Sequence, residues 1–165
     1  MSFGSHLPML MKCFEFSDGP ILEMGIGEFS TPILNMLCAM RQKRHILSLE
    51  NDREWFEEYR EKYESDFHRF RFVTDWASED LESIFWSVAL IDHRPKNRRR
   101  KDILRLKERA YLLVLHDSQP DSEQRHYKYD EIYPHFKYRY DFKDCLPHTT
   151  VVSNYSDLKE IRWGR

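Results

Sequence analysis

The chain has little of anything that would place it in a special class. Three cysteines occur in 165 residues, Cys13, Cys38 and Cys145, and no two form a CxxC pair. That spacing excludes a zinc ribbon and a disulfide framework, and an odd count suits a reducing compartment. Five glycines and seven prolines are too few for a low-complexity or collagen-like chain. No uninterrupted apolar run approaches the roughly 20 residues of a membrane span. Neither sign of charge dominates: 26 basic side chains meet 28 acidic ones for a formal net charge of -2. A global basic field that would hold nucleic acid is therefore missing. Met1-Ser2-Phe3-Gly4-Ser5 lacks a charged start before an apolar stretch, so no secretion signal is expected. These absences predict a cytoplasmic protein without a membrane partner.

What is present points to a folded core. Aromatic residues make up 15% of the chain, which argues against disorder. The length predicts one domain over residues 1–165, with 1–19 as a short N-terminal extension. Short apolar runs alternate with longer amphipathic ones. Residues 20–24, 46–49 and 69–74 read as strands, and Val88-Ala89-Leu90-Ile91 and Tyr111-Leu112-Leu113-Val114-Leu115 as central strands buried on both faces. Thr31 with Pro32 predicts a helix start, and Arg41, Lys43 and Arg44 the close of that helix. Asn51 with Glu54 predicts a second helix start, and residues 98–107 a basic helix. Alternation over residues 136–142, and residues 149–153, add two strands that pair as an antiparallel edge. Five βα repeats and such an edge predict an α/β doubly wound sheet. Its ligand is expected beyond the C-terminal strand ends, near the first strand.

Glu23-Met24-Gly25-Ile26-Gly27 lies at the first strand-to-helix turn. Glycines there permit a tight turn and close ligand approach. Glu50 ends the next strand, where an acid can accept from ribose hydroxyls. A dinucleotide fold would place glycine at position 30, where Ser30 stands, and Glu28 adds negative charge where a phosphate would sit. A nucleoside with a cationic centre fits better than a pyrophosphate.

On Glu23-Met24-Gly25-Ile26-Gly27, Glu50 and Asp75-Trp76, the sequence over residues 20–153 resembles the class I S-adenosylmethionine-dependent methyltransferases. The resemblance implies a Rossmann-like sheet of order 3-2-1-4-5-7-6 with strand 7 antiparallel. It implies S-adenosylmethionine as cofactor, held by Glu23, Gly25, Gly27, Ser30, Thr31, Glu50, Asn51, Asp75, Trp76 and Asp92. Ile91-Asp92-His93 and Leu115-His116-Asp117 are similar to strand-end segments of the catechol-type O-methyltransferases, which hold magnesium. The His116-Asp117 pair departs from that family's Asp-Asn pair. No metal ligand is therefore assigned, and a magnesium ion stays an open alternative.

Methyl transfer to a hydroxyl needs an aligned acceptor and a group to take its proton. His116 and His93 are the candidate bases, with Asp92 and Asp117 to orient them. Arg94, Lys96 and Arg98-Arg99-Arg100-Lys101 form the densest charge run. It reads either as a site for an anionic acceptor or as a solvated helix face. Tyr127, Tyr129, Tyr133, Phe136, Tyr138 and Tyr140, with His126, His135 and His148, read as core packing or as a sugar-binding surface. Polar residues 118–135 are a candidate lid. The expected function is O-methylation of a small or sugar-like acceptor. The alternatives are an inactive interaction module on the same fold and a nucleic-acid methyltransferase, which the near-neutral charge disfavours. The aromatic tail also leaves a homo-oligomer open.

Overall fold

Continuous apolar runs build the centre of the sheet. In the computed structural model, which describes residues 4–120 and 124–162, β1 (Ile21–Met24), β4 (Trp86–Ile91) and β5 (Ala110–His116) lie side by side and are almost wholly buried. β2 (Ile46–Glu50) and β3 (His68–Phe72) extend the sheet on one side, β7 (Thr149–Ser153) and β6 (Tyr138–Phe142) on the other. The order is β3-β2-β1-β4-β5-β7-β6. β7 runs antiparallel to both of its neighbours, and the other pairs are parallel. This is the doubly wound Rossmann-like sheet expected from the sequence, with the strand order that the resemblance implies.

Strand parity divides the core. Ile21, Val88, Leu90, Leu112 and Val114 face one layer, formed with α1 (Leu7–Glu15) and α2 (Ser30–Met40). α3 (Arg53–Tyr63) packs Phe56 and Tyr59 over Phe70 near the β3 edge. Leu22, Met24, Ala89, Ile91, Leu113 and Leu115 face the opposite layer, which includes Ile103 and Leu106 of α4 (Arg99–Leu106). Side chains two apart share a face, so this alternation also decides which way the residues at the strand ends point.

Local differences from the sequence reading have physical causes. The expected plain extension contains α1. Pro8 stands in its first turn, where the missing N–H costs nothing, and Met9, Leu10, Cys13 and Phe14 form its buried stripe. α2 begins at Ser30 with no side-chain cap, because Phe29 stands at the N-cap position and Thr31 falls inside the first turn. α3 is capped by Asp52, one residue beyond Asn51. Its Oδ1 accepts from the N–H groups of Glu54 and Trp55. Arg44 does not close α2; its guanidinium turns inward and donates to the carbonyls of Phe14, Ser17 and Gly19. Of the candidate lid, residues 121–123 lie outside the described residues. The remainder carries α5 (Gln124–Tyr127) and α6 (Tyr129–Ile132), and Tyr127, Tyr129 and Ile132 are core residues. No helix among the described residues is long and apolar enough to cross a membrane.

Candidate active site at the C-terminal strand ends

The C-terminal ends of β1, β4 and β5 open onto a groove of about 620 Å³. Gly25, Gly27 and Glu50 line one half, Asp92, Arg99, His116 and Asp117 the other, and exposed Arg94 and Lys96 stand at its border. A second concavity, on one face of α3, is lined by Glu57, Arg60, Glu61 and Glu64 and gathers no groups from other elements.

Gly25 makes the turn from β1. Its φ is +94°, and a Cβ there would lie 2.7 Å from the Asp92 carbonyl carbon and 2.7 Å from the His93 nitrogen. Only glycine adopts this conformation and lets the β1 and β4 ends approach so closely. Glu50 braces the same turn. Its Oε2 accepts from Ile26 N–H at 2.9 Å, and its Oε1 from Asn51 and Asp52 N–H at 2.7 and 2.8 Å. Burial lifts this carboxyl above its ordinary range, against the pull of those N–H groups. Asn51 thus enters the site through its main chain.

Glu23 lies elsewhere. It is fully buried and belongs to a hydrogen-bonded chain inside the fold. Gly27 N–H donates to Thr31 Oγ1 at 3.1 Å, and Thr31 donates to Glu23 Oε1 at 2.9 Å. Ser48 Oγ lies 2.5 Å from Glu23 Oε2 and 2.8 Å from His68 Nε2. His68 Nδ1 lies 3.1 Å from Asn35 Oδ1. Burial pushes His68 down to about 4, so the ring is neutral near pH 7. Ser48 and Thr31 donate to Glu23, and burial still pushes the carboxyl up to about 7 against the hydroxyls of Ser30, Ser48 and Thr31.

Glu23 therefore keeps its proton up to about pH 7 in the fold, whereas in the unfolded chain it ionises near the ordinary 4.5. Its stabilising effect is complete below 4.5 and is lost as pH rises through 7. Glutamine copies the neutral acid, with an acceptor toward Thr31. Glu23→Gln is expected to gain on the wild type by at most about 3 kcal/mol between pH 5 and pH 8. Urea unfolding at the two pH values measures this, and a pH-independent difference would contradict the protonated carboxyl.

Parity, continued past the strands, sorts the two His-Asp dipeptides. Asp92 and His116 turn toward the α1 layer. His116 Nε2 meets Ser5 Oγ at 3.1 Å, its Nδ1 lies 3.1 Å from Asp92 Oδ1, and its ring meets the His6 ring edge-on at 4.7 Å. Burial works against a proton on His116, but Asp92 and Asp117 outweigh it and raise the imidazole above its ordinary value. Burial likewise opposes the charge on Asp92, and His116 and Arg99 overcome it and lower that carboxyl. His93 turns the other way. Its side chain is fully buried, its Nε2 lies 3.1 Å from Asp102 Oδ2 of α4, and its ring packs on Trp76 at 4.2 Å. The structure thus gives the two expected bases different settings: both residues line the groove, but the His93 side chain is buried and turned to Asp102, while His116 meets Ser5 and Asp92.

Arg99 ties the cluster together. It is 3% exposed. Its Nη2 donates to the Asp92 carbonyl at 2.7 Å and to Asp92 Oδ1 at 2.8 Å, and its Nε to the His93 carbonyl at 2.7 Å. Its Nη1 lies 3.3 Å from Asp117 Oδ2, which also accepts from Tyr127 Oη at 2.6 Å. The rest of the basic run is largely paired too: Arg98 with Asp102 and Arg100 with Glu131. Of the remaining expected cofactor residues, Asp75 is exposed and does not line the groove. Trp76 is a core residue that donates from Nε1 to the Arg94 carbonyl. Ser30 is buried at the start of α2.

Magnesium does not fit this donor set. It needs near-octahedral oxygen ligands, whereas two of the three donors gathered here are imidazole nitrogens. S-adenosylmethionine fits better: the glycine turn lines the groove, with the carboxylates of Glu50 and Asp92 beside it.

No protein-family model matches the chain, and no curated protein matches it by sequence. Solved structures do match. The O-methyltransferase TomG from Streptomyces achromogenes, involved in tomaymycin synthesis and bound to SAM, is 12% identical. Its TM-score is 0.67 over 92% of this chain and 79% of its own. The SAH-bound methyltransferase PaMTH1 from Podospora anserina is also 12% identical, at 0.67 over 93% of this chain and 79% of its own. The human METTL16 catalytic domain in complex with a 3'UTR hairpin is 14% identical, at 0.62 over 95% of this chain and 72% of its own. These likenesses establish that the chain has the class I methyltransferase fold.

Proposed function

We propose that the chain is an S-adenosylmethionine-dependent methyltransferase that acts on a hydroxyl of a small or sugar-like anionic acceptor. The observation that carries this reading is a single groove with two chemically distinct halves, a glycine turn beside Glu50 and a polar cluster of Asp92, Arg99, His116 and Asp117. S-adenosylmethionine, when bound, supplies a methyl group on a sulfonium that leaves readily. Gly25 and Gly27 admit its nucleoside to the main chain. Glu50 accepts three N–H groups of the roughly four hydrogen bonds a carboxylate can take, which leaves room for a ribose hydroxyl. The acceptor lies toward Asp92 and His116, whose carboxylate and imidazole are placed to orient a hydroxyl and receive its proton.

Exposed Arg94 at the groove border favours an acceptor that carries negative charge. A nucleic acid is the second reading, favoured by the fold shared with the hairpin-bound domain. Phosphate-backbone binding draws on several cations directed outward. Arg98, Arg99 and Arg100 are committed to carboxylates of this chain, so the smaller acceptor is preferred. A weak salt dependence of acceptor affinity is expected, and a steep one would reverse that preference.

Calorimetric titration with S-adenosylmethionine and S-adenosylhomocysteine tests the reading. Micromolar dissociation constants are expected for both. Failure of both to bind would sink the enzyme and favour an interaction module on this fold. Glu50→Ala is expected to weaken the cofactor by about 1–3 kcal/mol, the scale of lost charge-assisted hydrogen bonds. An unchanged constant would remove Glu50 from the site.

A further inference from the structure

His6 is the unexplained residue of the cluster. It is 3% exposed, it stands at the N-cap of α1 without capping it, and neither ring nitrogen has a hydrogen-bond partner. Leaving a buried polar atom unpaired costs about 1–3 kcal/mol, so a retained pair of bare nitrogens points to a missing partner. One nitrogen of His6, one of His116 and one oxygen of Asp92 lie within 4.8 Å of one another. They come from three separated parts of the chain, the start of α1 and the ends of β5 and β4. Among the described residues this is the one group of histidines, cysteines and carboxylates with metal-ligand spacing.

We propose that His6, His116 and Asp92 form a binding site for a divalent transition-metal ion of the zinc, cobalt or manganese class. Two imidazoles and one carboxylate suit such ions, which take nitrogen and oxygen ligands at about 2.0–2.2 Å and keep open positions for a further ligand. Donors around an ion at those bond lengths stand roughly 3–3.5 Å apart, so closing the site needs side-chain rotations of about an ångström. Ser5 supports the geometry. Its Oγ lies 3.1 Å from His116 Nε2, so that nitrogen can donate to Ser5 and leave Nδ1 bare toward Asp92. A ligating imidazole is commonly oriented in this way by a partner on its other nitrogen.

Arg99 does not close the site to a cation. It holds Asp92 through Oδ1, the oxygen that also faces His116 Nδ1, so an ion there competes with Arg99 for Oδ1 or takes Oδ2 after the carboxylate turns. Asp92 and Asp117 together carry two negative charges against the single charge of Arg99. Asp92 is 26% exposed on its side chain, which gives an ion a path to the groove and to an acceptor oxygen. The role in turnover rests on the methyltransferase reading and replaces His116 as proton acceptor there, since the ion takes its Nδ1 and Ser5 meets its Nε2; ion binding does not rest on that reading and is tested on the protein alone.

The test is titration of chelator-treated protein with cobalt(II) and zinc(II), with magnesium as the contrast. One equivalent of cobalt is expected to bind with visible absorption bands of nitrogen and oxygen coordination, to be displaced by zinc and not by excess magnesium. His6→Gln is expected to lower the affinity roughly tenfold or more, a loss on the scale of disturbed metal shells, while S-adenosylmethionine affinity and the melting temperature without metal hold. Absence of binding, or binding that His6→Gln leaves unchanged, overturns the site and leaves a buried water as the partner of His6. Should His6→Gln fail to fold, proton NMR of the cobalt-loaded wild type decides. Two paramagnetically shifted imidazole N–H signals support the site, and one or none refutes it. Loss of S-adenosylmethionine binding with cobalt binding intact would instead count against the function proposed above.

Discussion

Gly25→Ala is expected to destabilise the fold by about 2–6 kcal/mol and to abolish S-adenosylmethionine binding. Two costs add. A residue with a side chain held at φ +94° carries about 1–3 kcal/mol of backbone strain. A Cβ at 2.7 Å from the Asp92 carbonyl carbon and the His93 nitrogen, and 2.8 Å from the Asp92 carbonyl oxygen, must push main chain aside, and overpacking of this kind costs about 1–3 kcal/mol. The yielding segment carries Asp92, so damage to the turn reaches both halves of the groove. For a chain of this size each kcal/mol lowers the melting temperature by about 2–4 °C. Gly27→Ala is the control: its Cβ would meet the Ser30 hydroxyl oxygen at 3.0 Å and no main chain, and a smaller thermal shift is expected. Calorimetric melting of both variants checks the order. Equal shifts would show that the strand ends are not in the contact described.

The blockage differs from the one the sequence suggests. From Gly25-Ile26-Gly27 alone, glycine reads as an allowance for a ligand; in the fold, Gly25 is first an allowance for β4. Much of the frame was legible because it rests on apolar runs. Val88 to Ile91 and Leu112 to Leu115 could only be strands buried on both faces, and the sheet followed. α1 was missed because its sequence is apolar and short, and the helical spacing of Met9, Leu10, Cys13 and Phe14 went unused. Glu23 illustrates a different difficulty. It matches the pattern of the resemblance in β1, yet its partner Ser48 lies on β2 and Ser48's own partner His68 on β3, and pairing across a sheet is not written in local spacing. His6 gave no local signal at all: Ser5, beside it, meets His116 from 111 positions away. The split between His116 and His93, by contrast, could have been read. Even-numbered residues of β4 and β5 share one layer, so His116 and His93 had to face opposite sides.

Arg99→Met is expected to cost about 3–5 kcal/mol, the scale for breaking a buried ion pair by removing one partner. The basic run from Arg94 to Lys101 hides this residue among solvated neighbours, but the helix does not. Arg99, Ile103 and Leu106 recur at helical spacing on the buried face of α4. A cation on that face has to be matched, and Asp92, Asp117 and the carbonyls of Asp92 and His93 match it. Methionine fills the volume and abandons all of them. The pH dependence gives the sign. Burial favours the neutral Asp92 carboxyl, and His116 with Arg99 holds it below its ordinary value instead. Its stabilising effect is therefore present above the unfolded value near 3.9 and lost as pH falls through the lower folded value. Without Arg99 the burial cost is less opposed, the folded carboxyl rises, and the destabilisation becomes largest near pH 7 and shrinks on acidification. Arg99→Lys keeps the charge but not the planar fork, so it should recover part of the loss and the pH dependence with it. Urea unfolding of the three proteins at pH 5 and 7 measures both effects. A methionine variant as stable as the wild type at pH 7 would mean that the carboxylates at the groove do not depend on Arg99.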